Sequence, residues 1–469
     1  MASRRGIPIT TTLYFLLQIV TFVGCGGFLA DAQIPVVAPG SGGAAPKPGG
    51  APISAPGPGG ATSKPSSAPI GGPGAGGTTP GPAGGATPGP AGAPIGGPGS
   101  ATSGPAGAPI GGPSSGTIFE VTKYGAIPDG KTDMMMAFLK TWVGACNSPT
   151  PSTIVIPAGD FLCGLAVVTG PCKAPIEVQV LGTISAKDPI IGDNWFVFKH
   201  IENFVLSGTG TFDGKGAGKT EPNAANLRFQ SVTNGLVTGI TSKDSNFFHM
   251  AVLDSKNVTF TKVNITAAGD SLNTDGIHLS MSSDINIIDV TIATGDDCIS
   301  MVDGVTNVNI EGVTCGPGHG IAIGSLGKYP NESPVTGIHV KNCTLKDTEN
   351  GVRIKSWPDQ EAGVASDIHF DDITLDDVQN AIIIDQEYCP DGACKSKGPS
   401  KVKISNVTFT NIHGTTTDPD TITLKCSSLN PCEGIALTDI DLTCTKGGAK
   451  STCINVKPII SGKPPPPGC

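Results

Sequence analysis

Between Val258 and Leu442 one apolar template returns seven times, and it restricts the fold more than any other feature of the chain. Val258-x-Phe260-x-x-Val263-x-Ile265 recurs as Ile285-x-Ile287-x-x-Val290-x-Ile292, then as Val308-x-Ile310-x-x-Val313-x-Cys315 and Ile338-x-Val340-x-x-Cys343-x-Leu345. Ile368-x-Phe370-x-x-Ile373-x-Leu375, Val402-x-Ile404-x-x-Val407-x-Phe409 and Ile435-x-Leu437-x-x-Ile440-x-Leu442 complete the set. Alternation within each half is that of a strand with one buried face, and the two unpatterned positions form a bend between two strands. Units of this kind wind as a parallel β-solenoid, in which each coil buries its apolar face only against its neighbours. A β-sandwich has short strands at closer spacing and gives no reason for a fixed template.

A second series keeps step with the first. Asp275, Asp297 and His319 follow one another at intervals of 22 residues, and each precedes a short apolar strand: Ile277-His278-Leu279, Cys298-Ile299-Ser300-Met301 and Gly320-Ile321-Ala322-Ile323. Val352-Arg353-Ile354-Lys355 and Ala381-Ile382-Ile383-Ile384 continue the phase. Successive strands of a sheet lie about 4.8 Å apart, so residues a full coil apart stack on one wall. With Ile277, Leu279, Val352 and Ile354 turned inward, His278, Arg353 and Lys355 face outward.

Carboxylates stacked in this way suit acid–base cleavage of a glycosidic bond. Repulsion splits their pKa values, so one holds a proton for the leaving oxygen while another activates water. An inverting enzyme needs about 6.5–9.5 Å between the two groups and a retaining one about 5–5.5 Å; neighbouring coils allow either. Arg353 and Lys355 offer a fork and a point charge for a sugar carboxylate, which points to a uronic-acid polymer. Any one of these residues alone reads as turn chemistry or a solvated face. The net charge of −9 confines cationic binding to a local patch and speaks against a nucleic-acid partner.

Arg4 and Arg5, the apolar run from Leu13 to Val23 and Ala30-Asp31-Ala32 have the order of a secretory signal over residues 1–32. No stretch reaches membrane-spanning length, so the protein is expected outside the cell. Residues 33–116 are nearly all Gly, Pro, Ala, Ser and Thr, with Ala-Pro-Ile-Gly-Gly-Pro at Ala68, Ala93 and Ala108. Such a segment buries too little to offset its ordering entropy and reads as a disordered tether. Its Ala-Pro, Ser-Pro and Thr-Pro steps are candidates for hydroxylation and O-glycosylation that would hold the protein in a cell wall. The catalytic domain is placed at 117–469, with a helix from Met134 to Cys146, Thr132 at its N-cap, and Phe138, Leu139, Trp142 and Val143 covering the open end of the solenoid.

Of the 14 cysteines, Cys25 leaves with the signal, and the odd remainder leaves at least one thiol unpaired. Near neighbours suggest Cys163 with Cys172, Cys298 with Cys315, Cys389 with Cys394 and Cys426 with Cys432. Sequons at Asn257, Asn264, Asn331, Asn342 and Asn406 fit a secreted glycoprotein.

Asn273-Thr274-Asp275, Gly295-Asp296-Asp297, Gly318-His319-Gly320, Arg353-Ile354-Lys355 and Tyr388 together resemble the signature set of the family 28 glycoside hydrolases, the polygalacturonases. The resemblance runs from Thr117 to Cys469. It implies an all-β fold, a right-handed parallel β-helix, and hydrolysis of α-1,4-galacturonan with inversion, with no metal or other cofactor; the chain is expected to be a monomer. It implies Asp296 as general acid, Asp275 and Asp297 as holders and activators of the water, and His319 as support for their hydrogen bonding. Asn273, Arg353, Lys355 and Tyr388 would bind the galacturonate. Asn246-Phe247-Phe248-His249-Met250 and the run Cys315–Tyr329 look like the plant, pollen-type exopolygalacturonases, which work from the chain end. The tether is not part of the family pattern. An endo-acting enzyme with the same residues is the nearest alternative. A catalytically inactive wall-bound β-helix glycoprotein and a calcium-dependent lyase on the same architecture stand further off.

Overall fold

The computed structural model describes residues 116–190, 192–219, 224–392 and 394–469. The signal segment, Cys25 and the tether up to Ser115 lie outside the described residues. Those described wind into a β-helix in which strand pairs with strand in parallel register, coil after coil. One ladder of 11 strands makes the wall that carries the site, and a set of 21 strands makes the others.

The template residues form the core. Ile285, Val308, Ile338 and Ile368 pair in turn on successive coils, as do Ile287, Ile310, Val340 and Phe370. All eight are buried, because every inward side chain meets its counterparts on the coils before and after it. Met250, Ile277, Ile299, Ile321, Val352, Ile382 and Ile422 make the equivalent column in the 11-strand wall. Aromatic residues extend the stacking, with Phe370 and Phe409 rings 5.3 Å apart and nearly parallel.

The sixth template copy is out of register as read from the sequence. Ile368 pairs with Val407 and Phe370 with Phe409, so the coil reads Val407-x-Phe409-x-x-Ile412-x-Gly414, five residues later than expected. The reason lies in the corners. The second bend residue is left-handed at Lys262, Asp289, Gly312, Asn342, Asp372, Asn411 and Asp439. The corner before it repeats the same device at Asn257, Asp284, Asn307, Gly337, Asp367, Asn406 and Gly434. Two like corners five residues apart make the pattern overlap itself. Asn, Asp and Gly suit these positions because they reach the left-handed region at least cost.

The helix spans Met135–Cys146 and covers the first coils with Phe138, Trp142, Ala137 and Ala145. Val143 is 60% exposed and belongs to the outer face, a correction to the expected lid. Thr132 does not cap the helix. Its N–H and hydroxyl donate to Asp129, while Asp133 Oδ1 accepts from the Met135 N–H at 2.9 Å.

Three of the expected disulfides are present: Cys298–Cys315, Cys389–Cys394 and Cys426–Cys432. The fourth is not. Cys172 joins Cys146 at the helix end, and Cys453 joins Cys469. Cys163 is the last residue of the strand Asp160–Cys163, where alternation points it into the core, away from the surface loop of Cys172. It remains a buried thiol, as do Cys343 and Cys444. All five sequon asparagines are exposed.

Candidate active site

The site is built where each coil turns into the 11-strand wall. Asp275, Asp297 and His319 each stand two residues before Ile277, Ile299 and Ile321, which pair with one another. The three therefore occupy one phase on consecutive coils. The Gly276 N–H donates to the Asp297 carbonyl at 3.0 Å, and the Cys298 N–H to the Gly320 carbonyl at 2.8 Å. Such close stacking excludes side chains between the coils. A Cβ on Gly320, at φ +85°, would lie 2.1 Å from the Asn350 carbonyl oxygen, and one on Gly295 would lie 2.1 Å from that of Ser271. Here the glycines around His319 and before Asp296 follow from backbone contact.

Asp297 is the most enclosed member, with 1% of its surface exposed. Its Oδ1 accepts from Arg353 Nη2 at 2.8 Å and its Oδ2 from Lys355 Nζ at 2.7 Å. Both cations are buried as well, so the three form one desolvated charge cluster. Burial alone would lower the Arg353 pKa, but the Asp297 charge outweighs it and raises it.

Asp275 Oδ2 accepts from Ser300 Oγ at 2.6 Å, and Ser300 Oγ also lies 2.8 Å from His278 Nδ1. Burial, and after it the charge of Asp296, raise the Asp275 pKa. Asp296 is half-buried. Its Oδ1 receives the Asp297 N–H at 2.7 Å and lies 3.2 Å from His319 Nδ1, while Asn273 Nδ2 donates to Oδ2 at 3.4 Å. Burial pushes Asp296 upward, yet hydrogen bonding and charge from His319 dominate and hold it below its usual value. The hydrogen bond to Asp296 raises His319 in turn, against its own partial burial. Each partner thus shifts the other toward its charged form.

Tyr388 lies beside the cations, its ring centre 5.2 Å from Lys355 Nζ and 5.9 Å from the Arg353 guanidinium carbon. It meets Trp357 edge-on at 5.8 Å. The expected residues are thus brought together, from Asn273 through Asp296, His319 and Asp297 to Arg353, Lys355 and Tyr388, with Asp275 a coil before Asp297. Sequence reasoning missed Ser300, Trp357 and Glu349, whose Oε2 is 3.4 Å from His319 Nε2. Ser300 was within reach, since it holds the phase of His278 one coil on.

Atoms of Asp296, Asp297 and His319 converge within 4.8 Å, close enough to hold a cation in principle. Both Asp297 oxygens are taken by Arg353 and Lys355, however, and a divalent ion there would face two buried positive charges.

The model of the family described as glycosyl hydrolases family 28 matches residues 146–463. The chain belongs to that family. A polygalacturonase of Gossypium hirsutum is 49% identical over 370 residues, 74% of this chain and 89% of that protein. An exopolygalacturonase of Oenothera organensis is 47% identical over 354 residues, 72% of this chain and 98% of that protein. Among solved structures, an endo-xylogalacturonan hydrolase of Aspergillus tubingensis superposes with a TM-score of 0.65 at 23% identity, over 74% of this chain and all of that one. This glycoside hydrolase thus has the right-handed parallel β-helix of its family.

Proposed function

We propose that this family 28 member is a secreted exopolygalacturonase, hydrolysing α-1,4-galacturonosyl bonds of homogalacturonan from the chain end with inversion. The observation that carries the reading is the stacked set of Asp275, Asp296 and Asp297 beside two buried cations and Tyr388. Arg353, Lys355 and Tyr388 take the galacturonate carboxylate and ring, and Asn273 flanks the acid. Asp296 passes a proton to the leaving oxygen, replenished from His319, and Asp275 with Asp297 holds and deprotonates the water. The relatives named above support polygalacturonan as substrate, and the Oenothera relative bears the exo name. Release outside the cell and retention in the wall rest on residues 1–32 and the 33–116 tether. No helix among the described residues is long and apolar enough to cross a membrane.

The first products from polygalacturonate test this directly. Monogalacturonate with slow loss of viscosity is expected; a rapid viscosity fall at few cuts would replace the exo reading with the endo one, and unsaturated products would replace hydrolysis with elimination.

The pH profile follows from the proton positions. Asp275 must be ionised, and its raised pKa brings the acid limb above the ordinary carboxylate range. The His319–Asp296 pair must keep its proton, so activity falls on the alkaline side as pH passes the raised His319 pKa. His319→Gln removes that reservoir and leaves the proton to Asp296 alone, a carboxyl group. The alkaline limb in kcat/KM is then expected at lower pH than in the wild type. A limb that does not move would take His319 out of the proton path.

A further inference from the structure

We infer that Phe247 and Phe248 wall off the N-terminal end of the substrate furrow and so confine cleavage to the chain end. The inference rests on the exo reading and supplies its physical basis. Phe248 occupies the coil before Asp275 in the same phase as Asp275, Asp297 and His319, since Met250 pairs with Ile277. An aromatic ring thus stands where the column of reactive groups would otherwise continue.

Both faces of that ring are covered. Phe248 stacks on His278 with centres 4.2 Å apart at 15°, and on Phe247 at 3.9 Å and 25°. A ring packed on both sides presents its edge, not a face on which a sugar could lie, so it obstructs instead of extending the binding surface. Its backbone is fixed as well. The Phe248 carbonyl accepts from Ser245 Oγ at 2.8 Å and from the Asn226 N–H at 3.1 Å. The adjoining His249 is wholly buried and bound to Ser242 Oγ.

In the other direction the column itself carries no such ring, and the aromatic pair Tyr388 and Trp357 stands beside Arg353 and Lys355. The phase of Phe248, Asp275, Asp297 and His319 continues as Asn350, Asn380 and Asp420, without an aromatic residue. A polymer lying along the column of Asp275, Asp297 and His319 would end against the three rings. One coil rises by about 4.8 Å, close to the length of one pyranose, so the single coil of Asp275, between Phe248 and the Asp296–Asp297 coil, matches one terminal unit.

The test compares wild type with Phe247→Ala/Phe248→Ala on polygalacturonate, sizing the earliest products and plotting viscosity against bonds cut. With the wall gone, di- and trigalacturonate are expected from the first turnovers, with a several-fold larger viscosity fall per cut. A folded double variant that still releases monogalacturonate alone, at whatever rate, overturns the inference. Where the double variant fails to fold, Phe247→Ala, which removes only the outer ring of the stack, gives the same readout. Oligomers from the wild type itself would sink the exo reading first, and the wall with it.

Discussion

Asp296→Asn is expected to lower kcat on polygalacturonate by about 10²–10⁴-fold, the contribution of a positioned general acid, with little change in stability. The amide keeps the shape of the carboxylate, and its Oδ1 still accepts the Asp297 N–H that Asp296 receives at 2.7 Å. What it loses is the ability to carry a proton between His319 and the leaving oxygen. Asp296 is partly open to solvent and leaves no buried cation unpaired, since Arg353 and Lys355 are both held by Asp297. Unfolding free energy is therefore expected to fall by no more than about 1 kcal/mol, the loss of the partly exposed His319 ion pair. Reducing-end release and a urea titration measure the two quantities. Near-normal turnover would remove Asp296 as the acid and would favour Asp275, whose raised pKa makes it the other carboxyl able to hold a proton.

Much of this arrangement was legible in the residues because a solenoid converts sequence interval into spatial neighbourhood. The 22-residue steps from Asp275 to Asp297 to His319 become adjacent coils with little ambiguity. Register failed where the local pattern was self-similar. Val402-x-Ile404-x-x-Val407-x-Phe409 satisfies the template as well as Val407-x-Phe409-x-x-Ile412-x-Gly414 does, and only the long-range pairing to Ile368 chooses between them. Cys163 was misplaced for a related reason. Nearness to Cys172 in sequence said nothing of the strand phase that turns its thiol inward, whereas Cys146 reaches Cys172 from the helix end. The ion pairs of Asp297 were hidden in another way. Outward phase identified Arg353 and Lys355 as facing the furrow, but whether they meet solvent, substrate or a carboxylate depends on side-chain reach across two coils.

Those ion pairs make Asp297→Asn a different experiment from its neighbour, although both residues are aspartates in one Gly-Asp-Asp run. Neutralising Asp297 leaves Arg353 and Lys355 buried at 8% and 6% exposure without their counter-charge. Removing one partner of a buried charge cluster costs about 3–5 kcal/mol, so Asp297→Asn should unfold at clearly lower urea as well as lose turnover. Galacturonate should stabilise this variant more than it stabilises wild type, because a sugar carboxylate returns the missing negative charge to the two cations. The triple change Asp297→Leu/Arg353→Met/Lys355→Met should recover most of the stability and none of the activity, since apolar residues of similar volume replace the whole cluster. Asp297→Asn with wild-type stability would mean that the two cations are solvated in solution and that Asp297 does not hold them. Recovery in the triple variant, without turnover, would separate what the cluster costs the fold from what it does for the substrate.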